Sequence, residues 1–322
     1  MLFLNVIIFL VLLFFPSISL SSQDPMDLKL LYAASNGTTD DILRLLSQGY
    51  DVNQQQFRQQ KNHMSCELTN LKRELQRGET IHPESHNADS ALHRAALMNR
   101  RENMDLLLQK GALLTAKNDR GEIPLHCPAC SGSVECLADL LKRDPPLFTC
   151  RSKQGWALLH YGVKSESVEM VKYLVGLGAD ITAVCALGET PLIHAGYGHS
   201  LEIVKFLLGQ QPFLLDAKNS LGVGLLYNAL KSGDVEKMHF FLSIGATVNT
   251  RTHPSQTPFF QALSMSSIEH IITLIDHGAD LDSVYPRGET YLIHASRRTT
   301  DRKAVVALLL ETSVRQASEF FV

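Results

Sequence analysis

A block of eight residues, Gly188-Glu-Thr-Pro-Leu-Ile-His-Ala195, returns one hundred residues later as Gly288-Glu-Thr-Tyr-Leu-Ile-His-Ala295, and related copies fill the interval. The leucine of the block, or its replacement, stands at Leu92, Leu125, Leu159, Leu192, Leu226, Phe259 and Leu292, so every spacing is 33 or 34 residues. A cadence held that long defines a repeat architecture. A second marker closes several copies: an apolar pair or its equivalent, two residues, then Gly-Ala or a relative, as in Leu107-Leu108-Gln-Lys-Gly111-Ala112 and Leu174-Val175-Gly-Leu-Gly178-Ala179.

Between the markers lie two short apolar stripes at helical spacing. Leu159 and Val163 stand at i and i+4, and Val168, Val171, Leu174 and Val175 at i, i+3, i+6 and i+7. Helices below about 12 residues are marginal alone in water, so each stripe must be buried against a neighbouring unit. The expected fold is an all-α solenoid of helix–turn–helix units with short β-hairpin or loop fingers. The glycine after the second stripe suits a left-handed C-cap, and Thr-Pro at 190–191 and 257–258 puts proline where a helix begins.

These blocks resemble ankyrin repeats, whose unit carries Thr-Pro-Leu-His-x-Ala-Ala and closes Leu-Leu-x-x-Gly-Ala-Asp-Val-Asn. Ser90-Ala-Leu-His-Arg-Ala-Ala96 is among the closest copies. Residues 26–53 read as an N-terminal capping repeat without its leading hairpin, and residues 87–312 as seven repeats followed by a short tail, 313–322. Residues 54–86 read as a degenerate repeat, because Leu71 and Leu75 match Ile42 and Leu46 while the polar run 54–61 lacks the first-helix signature. A loop insertion carrying one amphipathic helix is the alternative.

The N-terminus adds an address. Residues 2–15 are apolar except Asn5, and Pro16 and a serine-rich stretch follow, which reads as a signal peptide over residues 1–22. The run falls short of the roughly 20 residues of a membrane-spanning helix, so no stable span is expected after cleavage. A cytosolic chain begun at Met26 is the rival. Asn36-Gly-Thr38 is a glycosylation sequon that only a lumenal chain would use.

With 30 Lys and Arg against 33 Asp and Glu, the net charge is −3, which gives no footprint for nucleic acid. Paired carboxylates at a fixed site, phosphate-binding glycine loops and metalloprotease motifs are missing, so neither enzyme activity nor a cofactor is expected. Cys127-Pro-Ala-Cys130 is the one cluster that suggests zinc or dithiol chemistry; a lone pair is a weak zinc signal, and no metal site is assigned. In this repeat Pro128 displaces the usual alanine and is expected to distort the first helix.

The resemblance implies that His93, His126 and His160 are structural, bonding the backbone of adjoining hairpins. His194 and His294, one place further on, are expected to pack against the second helix. The partner is expected to be a protein, held by hairpin residues Arg120, Glu122, Gln154, Trp156, Glu189 and Arg287 and by inner-helix residues including Met98, Lys164, Tyr197, Lys231 and Arg297. Trp156, the only tryptophan, leads this set, since Trp, Tyr, Met and Arg are enriched at interface centres; packing on the adjacent hairpin is its alternative. The resulting expectation is a secreted, non-enzymatic protein-binding module. A cytosolic scaffold and a redox or zinc site at Cys127/Cys130 are the alternatives.

Overall fold

The computed structural model describes residues 24–53, 89–198, 200–250, 257–265, 268–281, 290–297 and 301–319. These residues are helical, with no strands among them, and the chain divides into two compact units, residues 1–131 with 135–147 and residues 132–134 with 148–322.

The first unit holds three helix pairs: α1 (Asp24–Asn36) with α2 (Thr39–Ser47), α3 (Ala91–Leu97) with α4 (Arg101–Gln109), and α5 (His126–Ser131) with α6 (Val134–Arg143). The second holds five: α7 (Leu158–Lys164) with α8 (Val168–Gly176), α9 (Pro191–Ala195) with α10 (Leu201–Gln210), α11 (Leu225–Ser232) with α12 (Val235–Ser243), α13 (Pro258–Met265) with α14 (Ile268–Asp276), and α15 (Tyr291–Ser296) with α16 (Arg302–Glu319). Within the second unit, α7, α9, α11, α13 and α15 pack successively in one layer, and second helices such as α12, α14 and α16 pack in another. The helix α16 runs on to Glu319, through most of the stretch the repeat register assigns to a tail.

Local chemistry sets these boundaries. Thr38, Ser90, Thr190 and Thr290 each accept the backbone N–H three residues on, satisfying a donor the helix start would leave bare. Pro191 and Pro258 open their helices, as their spacing predicts. The glycine after the second helix is left-handed, with φ of 89° at Gly178, where Ala179 N–H returns to Leu174 O at 3.0 Å. The motif leucines from Leu92 to Leu226 and Phe259 are at most 4% exposed, while Leu292 in the last described pair is half-buried.

In α5, Pro128 has no N–H to return to Pro124. The first turn tightens instead, His126 N–H bonding Ile123 O at 2.9 Å and Cys127 N–H bonding Pro124 O at 3.2 Å, and the helix begins one residue after the motif leucine rather than one before.

The segment 54–86, read as a degenerate repeat or a loop insertion, lies outside the described residues. Helix α1 packs directly on α3, and α2 on α4. Asn103 Nδ2 donates to the carbonyls of Ala33, Ala34 and Gly37 at 3.0–3.3 Å, Arg100 Nε to Ser35 O at 3.0 Å, and Asn53 bridges Gly111 O and Leu113 N–H. The first two described pairs are thus in direct contact with each other.

Two outcomes follow. Deleting residues 58–84 should preserve a single cooperative urea transition and leave stability equal or higher by about 1 kcal/mol through the shorter closure; a fall in midpoint would show that the segment supports the stack. Asn103→Ala removes the donor from three carbonyls and should cost about 1–3 kcal/mol in the same titration.

Candidate functional site

The fingers are organised from the side chain inward. In the first unit Asn118 Oδ1 accepts the N–H groups of Arg120 and Glu122, while its Nδ2 donates to Glu122 Oε2 at 2.8 Å and to Asp89 Oδ1 at 2.9 Å. In the second unit Asn219 does the same for Leu221 and Val223, and its Nδ2 reaches Glu189 Oε1 at 3.1 Å. Each finger is closed by a pair of backbone bonds, such as Cys185 N–H to Glu189 O at 3.0 Å and Gly188 N–H to Cys185 O at 2.9 Å, around a left-handed glycine, Gly188 at φ 72°. The fingers are therefore loops rather than paired strands.

The motif histidines tie helix to finger. His93 Nδ1 accepts Ser90 N–H, so the ring proton sits on Nε2, which lies 3.0 Å from Glu122 O. His160 repeats this with Ala157 N–H and Glu189 O, again at 3.0 Å. The His126 Nδ1 accepts Ile123 N–H at 2.9 Å. Burial pushes the pKa of His93 and of His160 below the ordinary 6.5.

Glu122 and Glu189, assigned by register to a partner-facing finger, turn inward. Glu189 is 7% exposed, its carboxylate held by Asn219 and 3.9 Å from His194 Nδ1. The carboxylate of Glu122 closes its own finger. His194 and His294 do not pack on second helices as expected. The His194 ring meets Trp156 edge-on at 4.6 Å, and His294 lies 4.3 Å from the Phe260 ring of α13, so both reach back to the preceding repeat on the first-helix side.

Trp156 is half-buried, neither freely exposed nor confined to a neighbouring finger. Its ring lies 5.9 Å from His160, 5.2 Å from Tyr161 and 4.6 Å from His194, with Lys164 Nζ 5.8 Å from its centroid. His194 leads on to Tyr197 at 6.3 Å, and Lys231 Nζ stands 5.7 Å from the Tyr197 ring. Lys164, Trp156, His194, Tyr197 and Lys231 thus form one unbroken cation–aromatic strip across three successive repeats of the second unit.

Of the other predicted contacts, Gln154 is exposed and its carbonyl accepts Ala186 N–H, Arg120 and Met98 are half-buried in the first unit, and Arg297 is exposed after α15. Arg287 lies outside the described residues. Asn36 is exposed at the end of α1. Lys164 and Lys231 stand where the repeat register placed them on the inner helices, whereas His194 was not among the predicted contacts; the signal was that it recurs 33 residues from Tyr161 and Tyr227 on the same helix face.

The redox alternative meets a physical obstacle. Burial, reinforced by the Asp89 and Glu122 carboxylates, pushes the Cys127 thiol well above its ordinary value, which disfavours the thiolate that exchange chemistry needs. Cys136 is buried and donates to Asn99 Oδ1 at 2.9 Å. Among the described residues no three His, Cys, Asp or Glu side chains are grouped to hold a metal, and no helix is long and apolar enough to cross a membrane.

An array of short helix pairs joined by fingers defines a class of repeat proteins built for protein–protein interaction. Residues 30–145 match the family described as ankyrin repeats (3 copies) and residues 159–208 that described as ankyrin repeats (many copies), together just over half of the chain; it belongs to the ankyrin-repeat proteins. Among curated proteins it is 28% identical over 158 residues to the Transient receptor potential cation channel subfamily A member 1 homolog of Caenorhabditis elegans, covering 49% of this chain and 13% of that one. It is 24% identical over 198 residues to the Putative palmitoyltransferase ZDHHC13 of Danio rerio, with 57% and 29% covered. It is 29% identical over 182 residues to the B-cell lymphoma 3 protein homolog of Mus musculus, with 55% and 40% covered. The chain therefore spans well under half the length of each of these relatives.

The buried histidines predict a pH response. The unfolded chain titrates near 6.5, above the native value, so it takes up protons that the native state resists. Stability should be full above about pH 6.5 and decline as pH falls through the window down to the native value. Urea midpoints at about pH 7 and about pH 5 check this, and His160→Gln, which keeps a donor but takes up no proton, should flatten the loss.

Proposed function

We propose that this chain is a non-enzymatic binding module that holds a protein partner on the first-helix layer of its second unit, centred on Trp156 and Tyr197. The observation that carries it is the strip from Lys164 to Lys231, whose three rings are half-buried and whose two lysines are exposed. Its rings are packed against neighbours on one side and open on the other, so little freedom is lost when a partner covers them. Site-specific photocrosslinking tests it. A probe replacing Gln154 should give a discrete adduct that the same probe at Glu169, exposed on α8, does not give, and Trp156→Ala should lower its yield at least about tenfold. Equal adducts from both positions, or indifference to Trp156→Ala, would overturn the reading.

We also propose that the chain enters the secretory route. The support is the apolar run at residues 6–15 followed by Pro16 and small residues, with the exposed Asn36 downstream. Expressed in a secreting eukaryotic cell, the protein should appear in the medium beginning near residues 19–23 and shift on glycosidase treatment. A lysate-only, unshifted chain beginning at Met1 or Met26 would favour a cytosolic scaffold instead.

A further inference from the structure

The strip carries a charge pattern beyond its apolar surface. Successive first helices of three repeats place Lys164, Tyr197 and Lys231 at the same register, so cation, ring and cation alternate. Each ammonium lies over a ring, Lys164 over Trp156 at 5.8 Å and Lys231 over Tyr197 at 5.7 Å. Both are exposed, and among the described residues neither is in an ion pair. The carboxylate at the base of the strip, Glu189, is turned onto Asn219 and His194. Glu166, two residues beyond Lys164, sits past the helix end in a left-handed turn at φ 57°, with its carboxylate beside Gly198 at the edge of the strip. A ring face holds a cation without neutralising it, so both lysines retain charge for an incoming anion. The fingers of the same repeats add Leu187 at 57% and Leu221 at 54% exposure, joined through Ser220 N–H to Leu187 O.

We propose that this strip binds an extended acidic peptide segment of a partner protein, with two carboxylates flanking an apolar or aromatic residue. The proposal rests on the binding reading above and names the partner's chemistry. Adjacent packed helices lie roughly 8–10 Å apart, which sets Lys164 and Lys231, two layers apart, about 16–20 Å from each other. An extended chain advances about 3.3 Å per residue, so the carboxylates fall about five or six positions apart. The intervening side chain meets the edges and faces of Trp156, His194 and Tyr197, where aromatic pairing geometry is available.

A random peptide library displayed on phage and selected on the full chain, followed by anisotropy titration of fluorescein-labelled hits, tests this. Enriched peptides should carry Asp or Glu pairs at that spacing with an apolar or aromatic residue between. The charge-reversed variant Lys164→Glu/Lys231→Glu, with an unchanged melting curve, should bind them at least about tenfold more weakly and should select basic peptides instead. Failure to enrich any peptide, hits without acidic residues, or hits that bind the reversed variant equally well would overturn the proposal. So would equal affinity for scrambled peptides with altered spacing, or displacement by phosphatidylserine vesicles or a single-stranded oligonucleotide at matched charge, which would mark general polyanion attraction. Non-acidic hits still abolished by Trp156→Ala would leave the binding face standing, whereas hits indifferent to Trp156→Ala would remove the face as well.

Discussion

Among the described residues none of the helices from α2 to α15 exceeds ten residues, and a peptide of that length does not hold a helix in water. Burial of each pair against the next is what creates them. The polar ties then fix how one pair meets the next. An imidazole at the start of one first helix grips a finger carbonyl 29 residues on, and an asparagine in that following finger reaches back to a carboxylate, so the fingers cannot slide relative to the helices beneath them. These groups are buried and their bonds replace water, which makes each loss costlier than its formation is rewarding.

That arrangement explains how much could be read in advance. The 33-residue cadence, the proline-opened helices and the left-handed glycines all express requirements of one residue on its own backbone, and such requirements are written locally. The inward turn of Glu189 depends on Asn219, thirty residues later, and on His194, so the register that placed it on a finger carried no information about which way its carboxylate points. The Asn-x-x-Gly pattern at Asn118–Gly121 and Asn219–Gly222 was the available signal. The contact of α1 with α3 joins residues distant in sequence, and the apolar spacing within either helix carries no sign of it.

The members of the candidate site were legible one by one, but the contacts that join them were not. Trp156 stood out by residue type, and Tyr197 by register. The strip arises because His194 turns toward the preceding repeat rather than its own second helix, linking two rings that sequence alone leaves separate. Lys164 and Lys231 join it through their position over those rings, which makes long surface cations part of an ordered surface instead of solvated fringe.

The direct docking of the first helix pair onto α3 and α4 gives this part of the stack an unusual standing. The pair is a neighbour in space but remote along the chain, so it is bound much as a tethered ligand is bound to its receptor, through Asn103, Arg100 and Asn53. Its occupancy follows an effective concentration set by the connecting length, and each doubling of that length costs only about 0.6 kcal/mol. The order of layers here is therefore held by contact across space and not by adjacency along the chain.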